Sequence, residues 1–158
     1  MRTQAKAFVA AAVAVALTAS LLHRRKQRDP EELLRSYYDA WGGGDVDALD
    51  DLLADDFCAH VHTLAGTDDH DAEELAETIE SHAHTFEHVE YDVEDVVKAD
   101  GRVAARVTMR ASHKETERDA ETVGLVILRL DGGRIAEEWS SWDYLGLARQ
   151  LGLAGAAS

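Results

Sequence analysis

Residues 102–142 read RVAARVTMRASHKETERDAETVGLVILRLDGGRIAEEWSSW, and this stretch decides the fold. Val103, Ala105, Val107, Met109, Ala111 and His113 share one parity, while Arg102, Arg106, Arg110 and Ser112 share the other. That is the two-residue period of a strand with one buried face. Thr122–Leu130 and Arg134–Trp142 read as further strands, joined by Asp131-Gly132-Gly133, where glycine accepts the positive φ of a hairpin turn. Upstream, Tyr91–Ala99 turns through Asp100-Gly101 into the strand at Arg102. Four strands in succession predict an antiparallel meander.

The residues before the meander carry helical periodicity. Asp29-Pro30-Glu31-Glu32 is a helix start, with Asp29 as N-cap, and Leu33, Leu34, Tyr37, Tyr38 and Trp41 form the apolar stripe behind it. Gly42-Gly43-Gly44 ends that helix. Asp45 caps a second, with Val46, Leu49, Leu52 and Leu53 inward, and Asp71 with Glu74 opens a third that carries Leu75, Ile79 and Phe86. Between them, Phe57–Thr63 reads as a short extended piece and Ala65–His70 as a loop. Three helices before a meander predict an α+β domain over residues 29–152, with helices on one face of a curved sheet and a short tail at 153–158.

Composition narrows the function. Acidic residues number 31 against 16 basic, a formal charge of -15, which excludes nucleic-acid binding by a basic surface. Residues 1–28 hold six of those basic groups and no acid, so the domain itself carries ten against 31. Acids spread from Asp29 to Asp143 predict a surface built for a salt-rich cytoplasm, as in halophilic archaea. Cys58 is the single cysteine, so no internal disulfide or cysteine-rich zinc site can form. Ala7–Leu22 is an uncharged run of sixteen residues followed by His23-Arg24-Arg25-Lys26. As a helix it would span about 24 Å, short of the roughly 30 Å hydrocarbon core. A membrane anchor holding a cytoplasmic domain, a signal peptide and an extension from a misplaced start codon all fit it.

His113 ends the apolar parity of its strand, where a sheet folded over helices has the mouth of a cavity. It is either a proton-exchanging group or a satisfied strand-end histidine. In the last strand Ile135, Glu137, Trp139, Ser141 and Asp143 share the parity taken as inner, with Glu138 and Trp142 on the other. Asp143 can therefore be an acid–base group beside tryptophans or the N-cap of a closing helix, Tyr144–Leu151. His60, His62, His82, His84 and His88 offer generic metal-ligand spacing without an H-E-x-x-H motif, and no metal is expected. No phosphate loop or nucleophile elbow is present, and Cys58 has no basic neighbour in the chain to activate it.

Two segments resemble a known family. EELLRSYYDAWGGGDVDALDDLLADDF, residues 31–57, resembles the opening of SnoaL-like proteins, within the nuclear transport factor 2-like superfamily. GGRIAEEWSSWDYLGLARQLG, residues 132–152, resembles the family's closing strand and helix through Trp139, Asp143, Gly146, Leu147, Gln150, Leu151 and Gly152. The resemblance implies a cone-like fold whose curved antiparallel sheet and three N-terminal helices enclose a pocket. It also implies cofactor-free chemistry, with an aspartate at Asp143 as acid/base and a histidine at His113 assisting. The family's T-H-T-G segment is replaced here by Ser112-His113-Lys114-Glu115-Thr116, so a large aromatic polyketide is a poor match. The expectation is thus a cyclase or isomerase acting next to a carbonyl of a small apolar substrate. Tyr37, Tyr38, Trp41, His60, His62, Met109 and Trp139 are expected to contact it, in a homodimer. The competing expectation is a non-catalytic ligand-binding or dimerisation module.

Overall fold

The computed structural model describes residues 28–154. The segment Ala7–Leu22 lies outside them, and among the described residues no helix is long and apolar enough to cross a membrane.

Helix α1, Pro30–Gly43, begins where the Asp29 side chain accepts the Glu31 and Glu32 amides, and ends at Gly44 in the left-handed region. Its buried stripe is Leu33, Leu34, Tyr37 and Tyr38. Helix α2, Leu49–Leu52, is one turn only, so the second helix is shorter than expected; Leu53 already belongs to strand β1, Leu53–Thr63. Asp45 does not cap that helix as expected: its side chain accepts the Ala48 amide at 3.2 Å in the turn before the helix, whose N-cap position is Ala48 itself. The expected loop at Ala65–His70 is instead a hairpin return, strand β2, Gly66–His70, paired with β1. Its sequence, GTDDH, has no apolar alternation because it is an exposed edge held by backbone bonds, and its acids discourage pairing with other chains.

Helix α3, Ala72–Thr85, opens with a reciprocal capping box between Asp71 and Glu74 and buries Leu75 and Ile79. Strands β3 (Phe86–Ala99), β4 (Arg102–His113), β5 (Arg118–Asp131) and β6 (Arg134–Trp142) form the meander, and helix α4, Tyr144–Gln150, closes the chain. The sheet order is β2-β1-β6-β5-β4-β3. All pairs are antiparallel except β1 with β6, which run parallel, so the sheet is mixed rather than purely antiparallel. Strand parity reads which side a residue faces and not which partner it finds, and β1 meets β6 only through long-range packing.

Bulges bend the sheet around the helices. In β3 the register slips near His88 (φ 52°) and Asp95 (φ 48°). In β6, Ile135 pairs with Leu130 while Glu137 pairs with Arg129, leaving Ala136 as an extra residue. Beyond it the parity is reversed. The concave face holds the core, in which Leu33, Leu34, Tyr37, Ile79, Val103, Val107, Val126, Leu128 and Ile135 are fully buried.

Candidate functional site

Between the concave face and the helices lies a cavity of about 460 Å³. Helix α1 supplies Tyr38 and Trp41, and α3 supplies Leu75, Thr78 and His82. The sheet supplies Val61, Thr63, His70, Phe86, Tyr91, Met109, Thr122, Glu138, Ser140 and Trp142, and α4 supplies Tyr144 and Leu147. The size is that of a small-molecule site. Tyr38 is tilted against Tyr91 at 5.1 Å between centroids and edge-on to Trp142 at 6.2 Å. Gly124, opposite Trp142 in the ladder, makes room for the indole: a Cβ there would lie 2.5 Å from the ring.

Glu138 is the carboxylate of this cavity. It is 5% exposed, and Tyr37, buried behind the lining, donates its hydroxyl to Oε2 at 2.5 Å. Burial raises the Glu138 carboxyl above the usual range, opposed by the bonds from Tyr37 and Ser140 and by the His70 charge. Burial also raises the phenols of Tyr38 and Tyr91. His82 is pushed down to about 4 by burial, so its imidazole is neutral at neutral pH. Its Nε2 lies 3.4 Å from Met109 Sδ and 3.5 Å from the Tyr91 hydroxyl. The buried Tyr38 hydroxyl, Trp41 Nε1 and His82 Nδ1 have no protein partner among the described residues. All three side chains belong to the cavity lining, although the atoms themselves are covered by protein and Trp41 also acts on the Tyr37 hydroxyl.

Residues 31–151 match the family model described as SnoaL-like polyketide cyclase. The chain belongs to this family. Among solved structures, IdmH of Streptomyces antibioticus, a candidate polyketide cyclase, is similar at 27% identity and TM-score 0.71, over 79% of this chain and 99% of that one. TsrD of Streptomyces laurentii aligns at 24% and 0.66, over 78% and 95%. AclR of Streptomyces galilaeus, a candidate hydroxylase, aligns at 18% and 0.70, over 82% and 88%. A Catenulispora acidiphila protein of ketosteroid isomerase-like fold aligns at 19% and 0.70, over 80% and 96%. No curated protein matches the chain. Cyclase and hydroxylase names on one fold mean that the architecture alone does not choose the reaction.

In this SnoaL-like domain, Tyr38, Trp41 and Met109 line the cavity, whereas Tyr37 stands one layer behind. His60, His62 and Trp139 lie on the opposite face of the sheet. The His60 ring stacks on Trp139 at 5.4 Å, and His62 Nδ1 meets the Thr67 hydroxyl at 2.9 Å. They left the expected face because the parity of β6 reverses at Ala136, and because β1 sends Val61 and Thr63 inward. His113 is buried as expected from its strand but is not in the lining: it packs edge-on to Phe86, and its Nδ1 accepts the Thr116 amide at 3.1 Å. Asp143 is exposed, and its Oδ1 accepts the Gly146 amide at 2.8 Å, which makes it the N-cap of α4. Glu138 and Trp142, which a strict period of two puts on the outer parity, and His70, at the end of the segment read as a loop, are also cavity residues. The sequence signal for them was the shared parity of Glu138 and Trp142.

The five histidines considered as a metal set do not assemble: His82 is in the cavity, His84 and His88 are exposed, and His60 and His62 are on the outer face. Among the described residues, one group of mixed metal-ligand type does converge: Cys58, His60 and Asp69, on that outer face. The Cys58 thiol there is pushed up by burial and by neighbouring carboxylates.

Proposed function

We propose that this SnoaL-like domain is a cofactor-independent enzyme that moves a proton next to a carbonyl of a small apolar compound, with Glu138 as the acid–base group. The observation that carries the reading is a nearly fully buried carboxylate in an apolar cavity whose lining includes Tyr38, a buried phenol without a hydrogen-bond partner among the described residues. Tyr37 donates to Oε2 of Glu138 and, together with Ser140, fixes the rotamer of the carboxylate that takes the proton. In the step, the ionised Glu138 removes a proton α to the carbonyl. The C–H electron pair becomes the C=C bond of an enolate, and the negative charge on oxygen is met by the Tyr38 hydroxyl as it turns toward the substrate. The enolate then attacks a second carbonyl of the same molecule, closing a ring as that carbonyl's π pair becomes an alkoxide which takes the proton back from Glu138, or it is reprotonated by Glu138 at another carbon. Asp143 and His113 serve here as helix cap and strand-end packing group, so the acid–base role passes from them to Glu138.

The test follows α-proton exchange of 2-tetralone in D₂O by NMR. Glu138→Gln is expected to abolish enzyme-dependent exchange, while Asp143→Asn and His113→Gln retain it. Exchange that survives Glu138→Gln and disappears in Asp143→Asn would return the role to Asp143. A second reading, a non-catalytic binding module, is favoured by the Tyr37–Glu138 bond if that pair is only structural. It predicts saturable binding of apolar ketones without exchange in the unmodified protein.

A homodimer through the outer face of the sheet also belongs to this proposal. Val123, Leu125 and Ile127 stand 40%, 64% and 44% exposed in a row along β5, and Ile127 pairs with Trp139 in the ladder. Such a row is its own complement across a two-fold axis, which makes a second copy the fitting occupant. Membrane attachment through Ala7–Leu22 is a separate proposal, tested by whether the full chain sediments with lipid vesicles.

A further inference from the structure

We infer that Cys58, His60 and Asp69 form a binding site for a thiophilic divalent cation of the zinc type, on the sheet face opposite the cavity. Cys58 and His60 are two residues apart on β1 and point to the same side, and Asp69 stands directly across from His60 on β2. Their ligand atoms, a thiol sulfur, an imidazole nitrogen and a carboxylate oxygen, all lie within 4.8 Å of one another. Zinc bonds of about 2.0–2.3 Å in a tetrahedron set such atoms roughly 3.5 Å apart, so His60 Nδ1 and Asp69, now 2.6 Å apart, open slightly to admit the ion. Sulfur with nitrogen and oxygen suits zinc and its neighbours over magnesium or calcium, which take oxygen alone.

The surroundings complete the case. His60 turns Nδ1 toward Asp69 at 2.6 Å, while Nε2 on the far side of the ring lies 3.6 Å from Glu137 Oε1. Glu137 is itself held by Arg129. A carboxylate on the outer nitrogen of a histidine is the arrangement that orients an imidazole for a metal. Stacking on Trp139 fixes the ring plane. The cation would tie β2 to β1, whose inward residues Val61 and Thr63, with His70 at the end of β2, form one wall of the cavity. The inference does not depend on the chemistry proposed for Glu138.

The experiment titrates the reduced, chelator-stripped full chain with Co²⁺ alone. Expected are a thiolate-to-cobalt charge-transfer band saturating at one equivalent, visible bands of tetrahedral cobalt, and loss of both on adding Zn²⁺. Cys58→Ser removes the charge-transfer band. His60→Gln and Asp69→Asn each weaken apparent affinity about tenfold or more, and Glu137→Gln about tenfold. His84→Gln, at an exposed histidine elsewhere, leaves the titration unchanged. Absence of the band at saturating Co²⁺ would overturn the site. So would a band whose affinity is untouched by both His60→Gln and Asp69→Asn, since that describes a thiolate acting alone. Far-UV circular dichroism of each variant verifies the fold, and the His60 and Asp69 variants keep the thiol whatever Cys58→Ser does.

Discussion

Replacing Gly124 with alanine should both destabilise the domain and narrow its cavity. Gly124 has ordinary extended backbone in β5, so alanine is conformationally compatible and would by itself gain about 0.4–1 kcal/mol from a stiffer unfolded chain. The obstacle is packing. Its Cβ would sit 2.5, 2.6 and 2.6 Å from Cδ2, Cε2 and Cε3 of Trp142. Carbon contacts at rest are about 3.5–4.0 Å, so the indole must retreat by roughly 1 Å. It retreats into the cavity it lines, against Tyr38 and Tyr91. Overpacking of this kind costs about 1–3 kcal/mol, leaving a net loss of about 1–2 kcal/mol, or roughly 3–8 °C in Tm. Urea unfolding in high salt measures the loss, and near-UV circular dichroism reports the indole. In a Trp142→Phe background the same substitution should cost less than about 0.5 kcal/mol, giving a coupling above about 0.5 kcal/mol. Equal stability of Gly124→Ala and the unmodified protein, with an unchanged near-UV spectrum, would mean that the Trp142 indole does not depend on the space at Gly124.

Three further outcomes are expected. The His82 imidazole, held to about 4 in the fold against 6.5 in the unfolded chain, favours the native state while neutral. Its contribution is complete above pH 6.5 and falls as pH drops from 6.5 through about 4, by at most about 3 kcal/mol, and His82→Gln should flatten that part of the urea-midpoint profile. Leu125→Asp should shift the mass measured by light scattering from twice to once 17.3 kDa, and a native protein that already runs at 17.3 kDa would remove the dimer. With 31 acids against 16 bases, Tm should rise with KCl chiefly between about 0.1 and 1 M, as the screening length contracts from about 10 to 3 Å; a flat profile would remove the salt-adaptation reading.

Much of the fold was legible because its signals are local. Asp29 and the Asp71–Glu74 pair announce helix starts that need only three or four neighbours, and β4 declares its buried face in six alternate residues. The hairpin at Gly66 was not legible, because a polar edge strand is specified by the backbone it pairs with and not by its own side chains. Nor was the parallel pairing of β1 with β6. The site suffered most from a single residue. A period of two, started at Ile135, carries Glu137 and Trp139 inward, and it fails at Ala136 because a bulge costs the strand one residue of register. Tyr38, Trp41 and Met109 stayed correctly placed because α1 and β4 have no such interruption around them.

That same bulge explains how adjacent glutamates come to have opposite fates. Glu137 turns outward, where Arg129 holds its carboxyl below the ordinary range with help from His60, and it remains an anion among partners. Glu138 turns inward, where burial pushes its carboxyl upward and Tyr37 supplies a neutral donor in place of a cation. One carboxylate is thus stabilised as charge and the other is made basic, although the chain writes them as the same residue twice. A regular strand would have kept the opposite assignment, sending Glu137 into the aromatic cavity and Glu138 to Arg129. The reactivity proposed for the cavity therefore depends on the register slip at Ala136, while the cation ligands on β1 and β2 gain from it only the carboxylate beside His60. Each uses a different glutamate, and the slipped strand delivers both to the correct side.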